Sequence, residues 1–538
     1  MKNIFKKQLL WAIPLAFSLV TSSCSDFLDK LPENSVEAET VDYSNTANMY
    51  MPVSGIYATS RSYLGSWSSY GCIIVRGDDV NKGGSPTDQI EYEYASKFQY
   101  DRLTTFWALS GLWGNCYYVV STSNSALESL ENYAKHLTSE SDKQLNAKYA
   151  AEVRFFRAYA YFQLVNLFGD VPLLLDNQEL NVYKSKKEDV EKYIYDELDY
   201  CIANLPAIRP NESEHPGAVT KYTAELLKAK LKMYNNEWDD VLTLTDDIVN
   251  SGKFELYNDF YELFKIPGKL CNESLLEYQF TDFGNGSGDI VSSDNWFAFQ
   301  GPRGEAPISG WAFIEPTEKI RNLFSKRGET VRAETTFLMT DATTRDGDYI
   351  PAAQPGEPTA YNGKAYTPAN QMTPGRTGYG DNNNIRVFRY AEVLLTYAEA
   401  ENELNGPSAI VYDLLDQVRL RAGHKAVDRS KYGTQATLRE LIRRERTIEF
   451  AGEGLRRADI LRWKDESGKM IAEKVLNGKL TRIVGTVDYN GTDPYTRATI
   501  TGTDEFIENR SFKVTNRYLP IPQKARDANP NLEQNDGY

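Results

Sequence analysis

The chain has 538 residues, 41% of them hydrophobic, and a formal net charge of −15. An acidic balance of this size argues against nucleic acid and anionic membrane surfaces as partners, because both require a basic footprint. The length fits three or four units at about 150 residues per domain, or one large helical body if repeats stack.

Lys2, Lys6 and Lys7 precede an apolar run from Leu9 to Val20. A basic segment followed by an apolar one too short to span a membrane comfortably is the pattern of an export signal. Ser22 and Ser23 then lead directly into Cys24, where a secretory signal shows an Ala-x-Ala-like site, so the stretch resembles a bacterial lipobox. On this reading residues 1–23 are a signal peptide, Cys24 is the lipidated first mature residue, and residues 24–46 are an extended polar tether. Acyl chains hold such a protein to a membrane while its body stays in water.

The other cysteines are Cys72, Cys116, Cys201 and Cys271. Export permits disulfides, but long spacings fix no pairing, and the absence of Cys-x-x-Cys argues against zinc or redox chemistry. His136, His215 and His424 lie far apart without metal-ligand spacing and read as surface residues.

After a short helix from about 47 to 57, residues 61–85 are rich in Gly, Ser and aromatics and read as a loop. A helix is expected from 106 to 133, with Trp107, Leu112, Tyr117 and Val120 near a core face. The strongest pattern is 146–168. Tyr149, Val153, Phe156, Ala160 and Leu164 share one face, while Phe155, Tyr159 and Phe162 form a second stripe. A helix apolar on two stripes packs between neighbours, and Gly169 stops this one, with Pro172 beyond.

Further helices are predicted at 187–205, with Val190, Tyr193, Ile194, Leu198 and Ile202 inward, and as a pair at 223–235 and 237–251 joined by Asn235-Asn236. A second pair falls at 390–404 and 408–422, with small Ala391, Ala398 and Ala400 permitting close approach. Repeated helical hairpins that hide apolar faces against one another predict a mainly α, tetratricopeptide-like scaffold. Between them, residues 272–385 are loop-rich, with Gly284-Asn-Gly-Ser-Gly288 and a Pro/Gly/Asn-rich stretch from 351 to 384, interrupted by a short helix at 316–324. Loops this long in a compact body are functional or disordered. Thr437-Leu-Arg-Glu440 reads as a capping box for a helix at 438–451, with Glu440 and Arg444 paired at i, i+4. Arg443 to Arg446 reads as ion-paired helix surface, and 455–463 as a further helical turn or two.

Several motifs have plain readings. Asp78-Asp79-Val-Asn81 lacks a full calcium pattern and reads as a solvated turn. Gly284-x-Gly-x-Gly288 lacks the spacing and βαβ context of a dinucleotide fingerprint. No nucleophile elbow, His-Glu-x-x-His or Walker sequence is present, and no carboxylate pair stands out for glycoside hydrolysis.

The chain resembles the SusD/RagB family, surface lipoproteins of Bacteroidetes nutrient uptake. The resemblance runs through Ser23-Cys24-Ser-Asp-Phe-Leu-Asp29, Ala151 to Pro172, Arg389 to Ala400, Val418 to Gly423, Glu445 to Gly454 with Asp459 to Trp463, and Leu519-Pro-Ile-Pro522 through Asn529-Pro-Asn531. Leu455 departs from the histidine common in the family after Glu-Gly. The resemblance implies a SusD-like fold, with an N-terminal helical region at 47–270 and a C-terminal region at 271–538 in one compact body. It also implies a loop-rich ligand face and a SusC-type TonB-dependent outer-membrane barrel as partner, over which the lipoprotein acts as a lid. No cofactor, metal or catalytic residue is implied. The expected ligand is an oligo- or polysaccharide, with a peptide, or a lid that binds little by itself, as alternatives.

Family binding faces use early and middle loops, corresponding to about 61–85 and 280–311. Sugar rings stack on aromatic faces, and amides, carboxylates and guanidinium groups bond their hydroxyls. The candidates are Trp67, Tyr70, Trp296 and Phe299, with Arg76, Asp78, Asn81 and Arg303 as polar partners. Trp311, close to Pro316-Thr317, reads as structural.

Overall fold

The computed structural model describes residues 41–538 apart from 86, 179–180, 283–289, 292–294, 304–309, 354–357, 373–381 and 489–498. The signal peptide, Cys24, most of the tether and the glycine run at 284–288 lie outside the described residues. Residues up to Asn48 form one unit, and Met49–Tyr538 form a second, compact one.

The helical hairpins are present. Helix α1 spans Met51–Leu64, α2 Trp67–Ile74, α3 Trp107–Ala134 and α4 Glu140–Phe168. They are followed by α5 (Lys187–Asn204), α6 (Lys221–Tyr234) and α7 (Trp238–Asn250). From α3 to α7 each helix packs on the next. Both stripes of α4 are buried: Val153, Phe155, Ala160 and Leu164 are fully enclosed. Short connections, at 135–139 and 235–237, make α3 and α4, and α6 and α7, antiparallel neighbours, and Gly169 ends α4 at φ 78°, in the positive range that glycine adopts freely.

The scaffold then resumes far along the chain. Helix α10 (Tyr390–Asn405) packs on α7, and α11 (Ala409–Arg421) and α12 (Gln435–Glu449) pack on α10. The loop-rich region therefore leaves the helical stack at one point and returns to it. Its ends are joined by strands Ser274–Tyr278 and Ile385–Arg389, which pair antiparallel, and Tyr390 N–H donates to the Glu273 carbonyl at 2.8 Å. Within it, the described residues form only short elements, among them α8 (Trp296–Gln300) and α9 (Glu318–Arg327), the latter capped by the Thr317 hydroxyl. Helix α13 (Arg456–Arg462) follows α12.

Four local expectations are corrected. Residues 61–85 are not a loop: they hold the end of α1, all of α2 and a strand at Val80–Lys82. Packing overrides the weak helix propensity of Gly71, because Phe299 and Tyr92 lie against it, where a Cβ would come within 2.7 Å of each ring. The cap of α12 is Thr434 with Thr437 at its third position, one turn earlier than read. Glu440 pairs with Arg443, at 3.6 Å, and not with Arg444. The run Arg443–Arg446 is partly core, since Glu445 and Arg446 are buried and Arg446 pairs with Asp459 at 3.1 Å. A long hairpin, Gly478–Asp488 paired with Thr499–Arg510, was not anticipated.

Glu445 and Glu449 sit at the centre of a buried ion network. Arg332, from the loop-rich region, reaches Glu445 at 3.1 Å, and Arg389, at the return strand, reaches Glu449 at 2.7 Å and Glu273 at 2.9 Å. Burial opposes the Glu449 charge, but Arg421, Arg389 and Arg332 outweigh it and hold the carboxyl at about 2. The network fixes the excursion to the helical stack by charge-assisted bonds. Among the described residues Cys72, Cys116, Cys201 and Cys271 are free thiols. His136 is exposed, while His424 approaches Glu329 at 3.0 Å. No helix among the described residues is long and apolar enough to cross a membrane.

Candidate functional site

Two short helices bring the early and middle aromatics together. Trp67 and Tyr70 are one turn apart on α2, and Trp296 and Phe299 are one turn apart on α8. Residues at i, i+3 share a helix face, so the helices pack as two matched pairs. Trp67 meets Phe299 at 5.0 Å between ring centroids, and Tyr70 meets Trp296 at 4.3 Å.

Trp67 is also the hub of a tryptophan cluster. Trp311 lies 5.1 Å away with its plane at 73°, and Trp107 lies 5.7 Å away at 64°. These edge-to-face geometries suit the aromatic quadrupole. Trp107 is 49% exposed, and its indole N–H donates to Gln89 Oε1 at 2.7 Å. Trp67 and Trp311 are half-buried. Beneath them Phe299 is fully buried and stacks on Phe313 at 5.3 Å. The result is a firmly backed face of three indoles, one of them half in water. Arg303 is exposed beside this face, 3.9 Å from Asp88, and close to Gly84, whose Cβ position lies 3.4 Å from the Trp311 carbonyl and 3.6 Å from Arg303 Nη2. Asn81 is half-buried on its strand, opposite Glu315.

Five of the predicted residues, Trp67, Tyr70, Trp296, Asn81 and Arg303, thus keep contact with solvent. The other three do not. Arg76 is fully buried, donating from Nε to the Tyr100 hydroxyl at 2.7 Å with its guanidinium over that ring. Asp78 is buried and ion-paired to Arg456 and Lys319. Burial opposes its charge, but those two cations outweigh it and hold the carboxyl well below the usual range. Phe299 is the floor of the cluster rather than its surface. Asp78-Asp79 is likewise no solvated turn, since both carboxylates are buried.

Trp107 was missed. Helical periodicity assigned it to a core face, but it is the first residue of α3 and shares its face with the exposed Gly114 and Tyr118, while the buried stripe runs through Ala108, Leu109 and Leu112. The signal that could have found it is composition: three indoles converge here from early and middle segments. Tyr70 and Trp296 turn away from the cluster toward an interior cavity of 230 Å³ between α2, α4 and α13. Among the described residues no group of three or more His, Cys, Asp or Glu is placed to hold a metal ion.

Comparison with known proteins gives a consistent result. Residues 336–538 match the SusD family, and residues 26–206 match a family described as starch-binding, associating with outer membrane. A SusD-like protein of Bacteroides ovatus is 27% identical over 513 residues, covering 88% of this chain and 85% of the relative. A SusD-like protein of Formosa agariphila is 24% identical over 551 residues, covering 96% of this chain and 95% of the relative. Among solved structures, a laminarin-binding SusD-like protein superposes with a TM-score of 0.71 at 25% identity, covering 91% of this chain and 99% of the other. Surface glycan-binding protein A from Bacteroides thetaiotaomicron, solved with laminarihexaose, superposes with a TM-score of 0.70 at 22% identity and the same coverage.

Proposed function

The chain belongs to the SusD/RagB family, and from that premise we propose that it is a non-catalytic surface lipoprotein that captures an oligo- or polysaccharide and passes it to a SusC-type TonB-dependent barrel in the outer membrane. Cys24 is its lipid anchor.

The observation that carries this reading is the face formed by Trp67, Trp107 and Trp311. Sugar rings present C–H faces to aromatic planes, and a rigid aromatic platform binds them at small entropic cost. Trp107 offers exposed ring area, while Phe299 and Phe313 prevent the cluster from collapsing inward. Arg303, Asp88, Gln89 and Asn81 supply hydrogen-bonding groups around it. Relatives of the same fold whose names record laminarin or laminarihexaose support a glycan as the ligand class.

The test is affinity electrophoresis of the protein through gels containing a panel of glycans, laminarin among them, with Trp107→Ala and Trp67→Ala alongside. Retardation by one glycan that both substitutions abolish is the expected result. Retardation by none, or retardation unchanged in both variants, overturns the proposal. Delivery is tested separately, by co-purification of the lipoprotein with its barrel from outer membranes.

A further inference from the structure

The interior cavity is unlike the rest of this acidic chain. Of the described charged side chains lining it, seven are cationic and only Glu453 is anionic. Five of those cations have a carboxylate partner: Lys187 with Glu191, Lys230 with Glu392, Lys364 with Glu453, Arg386 with Glu277 and Arg462 with Glu399. Two do not. Arg457 is buried and, among the described residues, donates only to main-chain carbonyls, those of Asn516 at 2.8 Å, Arg517 at 2.9 Å and Arg76 at 3.4 Å. Arg517 is partly exposed and has no ion pair among the described residues. Arg76 stands behind them, and its buried Nη1 has no hydrogen-bond partner among the described residues.

Two cavity-lining arginines with a third behind them, none paired with a carboxylate among the described residues, is a costly arrangement, because buried charges are ordinarily paired. Burial, with the Arg76 charge, pushes Arg457 down to about 9. An anion placed against Arg457 and Arg517 would relieve that cost. Guanidinium groups match carboxylate and sulfate oxygens in planar, two-pronged geometry.

The remaining walls suit a sugar ring. Tyr70 and Trp296 present aromatic surface, and Gln163 and Asn166 present amides. Two buried polar atoms on the lining, the Tyr278 hydroxyl and Arg386 Nε, have no hydrogen-bond partner among the described residues. At 230 Å³ the cavity is below the ~300–1,000 Å³ of sites for drug-sized ligands, so one monosaccharide unit is the size it fits. Leu455, Arg517 and Tyr518, all partly exposed, line its arginine end.

We propose that this cavity is a second binding site, distinct from the tryptophan face, for a single sugar unit carrying a carboxylate or sulfate, with Arg457 and Arg517 holding the acidic group. Only the choice of a sugar rests on the function proposed above; the requirement for an anion rests on the arginines. The site makes the protein selective for acidic glycans, or for their acidic end units, beyond what stacking on indoles can distinguish.

Calorimetry of the purified protein with glucuronate, galacturonate, glucose 6-sulfate and glucose tests this. At least one acidic sugar should bind ten-fold or more tighter than glucose, and added salt should weaken it. The carboxylate and sulfate arms report which anion is preferred. Arg517→Glu, at a partly exposed position, should abolish that binding while the melting temperature holds; Arg517→Lys should retain part of it. Arg457→Met should also abolish it, and if that variant fails to fold, the Arg517 pair decides. Trp107→Ala should leave acidic-monosaccharide binding unchanged, so this site and the tryptophan face fail separately. Equal binding of glucose and the acids, no binding of any acid, or full binding by Arg517→Glu overturns the proposal.

Discussion

The Tyr70 ring packs against Trp296 with 4.3 Å between centroids, while its hydroxyl donates to the Gly452 carbonyl at 2.7 Å. One side chain therefore ties α2 to α8 and to the turn after α12. Those three segments are remote in sequence, and their junction separates the tryptophan face from the interior cavity.

Trp107→Ala should weaken glycan binding without unfolding the protein. The ring is 49% exposed, so its removal forfeits stacking rather than core packing. A loss of about 1.4 kcal/mol or more, ten-fold in affinity, is expected, with the melting temperature within about 2 °C of wild type. Trp67→Ala should lower both, since its ring also packs on Phe299 and Trp311. Paired calorimetry and thermal melts check the contrast; a Trp107 variant that melts as early as the Trp67 variant would contradict it.

Gly71→Ala should disturb the face from behind. A Cβ there would lie 2.7 Å from Phe299 Cζ and from Tyr92 Cε1, and two aromatic rings in a packed core have little room to give. Overpacking of this kind costs about 1–3 kcal/mol. Denaturant titration should register that loss, together with weaker glycan retention as Phe299 shifts beneath Trp67.

Glu449→Gln should be severe although it is nearly isosteric. It removes the counter-charge shared by Arg389, Arg421 and Arg332 and leaves buried guanidinium groups undercompensated. Breaking a buried pair from one side costs about 3–5 kcal/mol. Equilibrium unfolding at pH 7 measures it, and a variant within about 1 kcal/mol of wild type would show the network to be dispensable.

Glu152 should give stability an unusual pH slope. Burial raises its carboxyl from 4.5 to about 7, against the Tyr57 hydroxyl bond and Lys148, which pull it down. Between those values the folded chain holds a proton that the unfolded chain has released, so this group's contribution falls as pH rises from 4.5 to 7. The decline totals about 3 kcal/mol and is complete above pH 7. Glu152→Gln, which can still accept from Tyr57, should remove that component. Denaturation midpoints between pH 4.5 and 8 for both proteins test this, and parallel profiles would refute it.

Much of the scaffold was legible in the sequence because helices report themselves locally. The two apolar stripes of α4, the Gly169 stop and the Asn235-Asn236 joint act within a few residues of one another, so reading periodicity located them. The family motifs, spread along the chain, carried the fold class in the same way. Trp67, Tyr70, Trp296, Asn81 and Arg303 were reachable as candidates because large aromatic and polar side chains stand out by type within the segments that the family resemblance points to.

Position relative to water was decided by tertiary structure alone. Arg76 and Asp78 look like solvent-facing polar residues until Tyr100, Arg456 and Lys319 arrive from elsewhere to bury them, and Trp107 looks like core until its face of the helix proves to meet water. Glu445 and Arg446 read as surface charge because their partners, Arg332 and Asp459, lie outside any local window. The cavity between α2, α4 and α13 has no sequence signature at all. What the chain encodes within one or two turns is periodicity and chemical type; which charge is paired, which ring meets water and where space remains are sums over contacts between distant segments, and only the folded chain evaluates them.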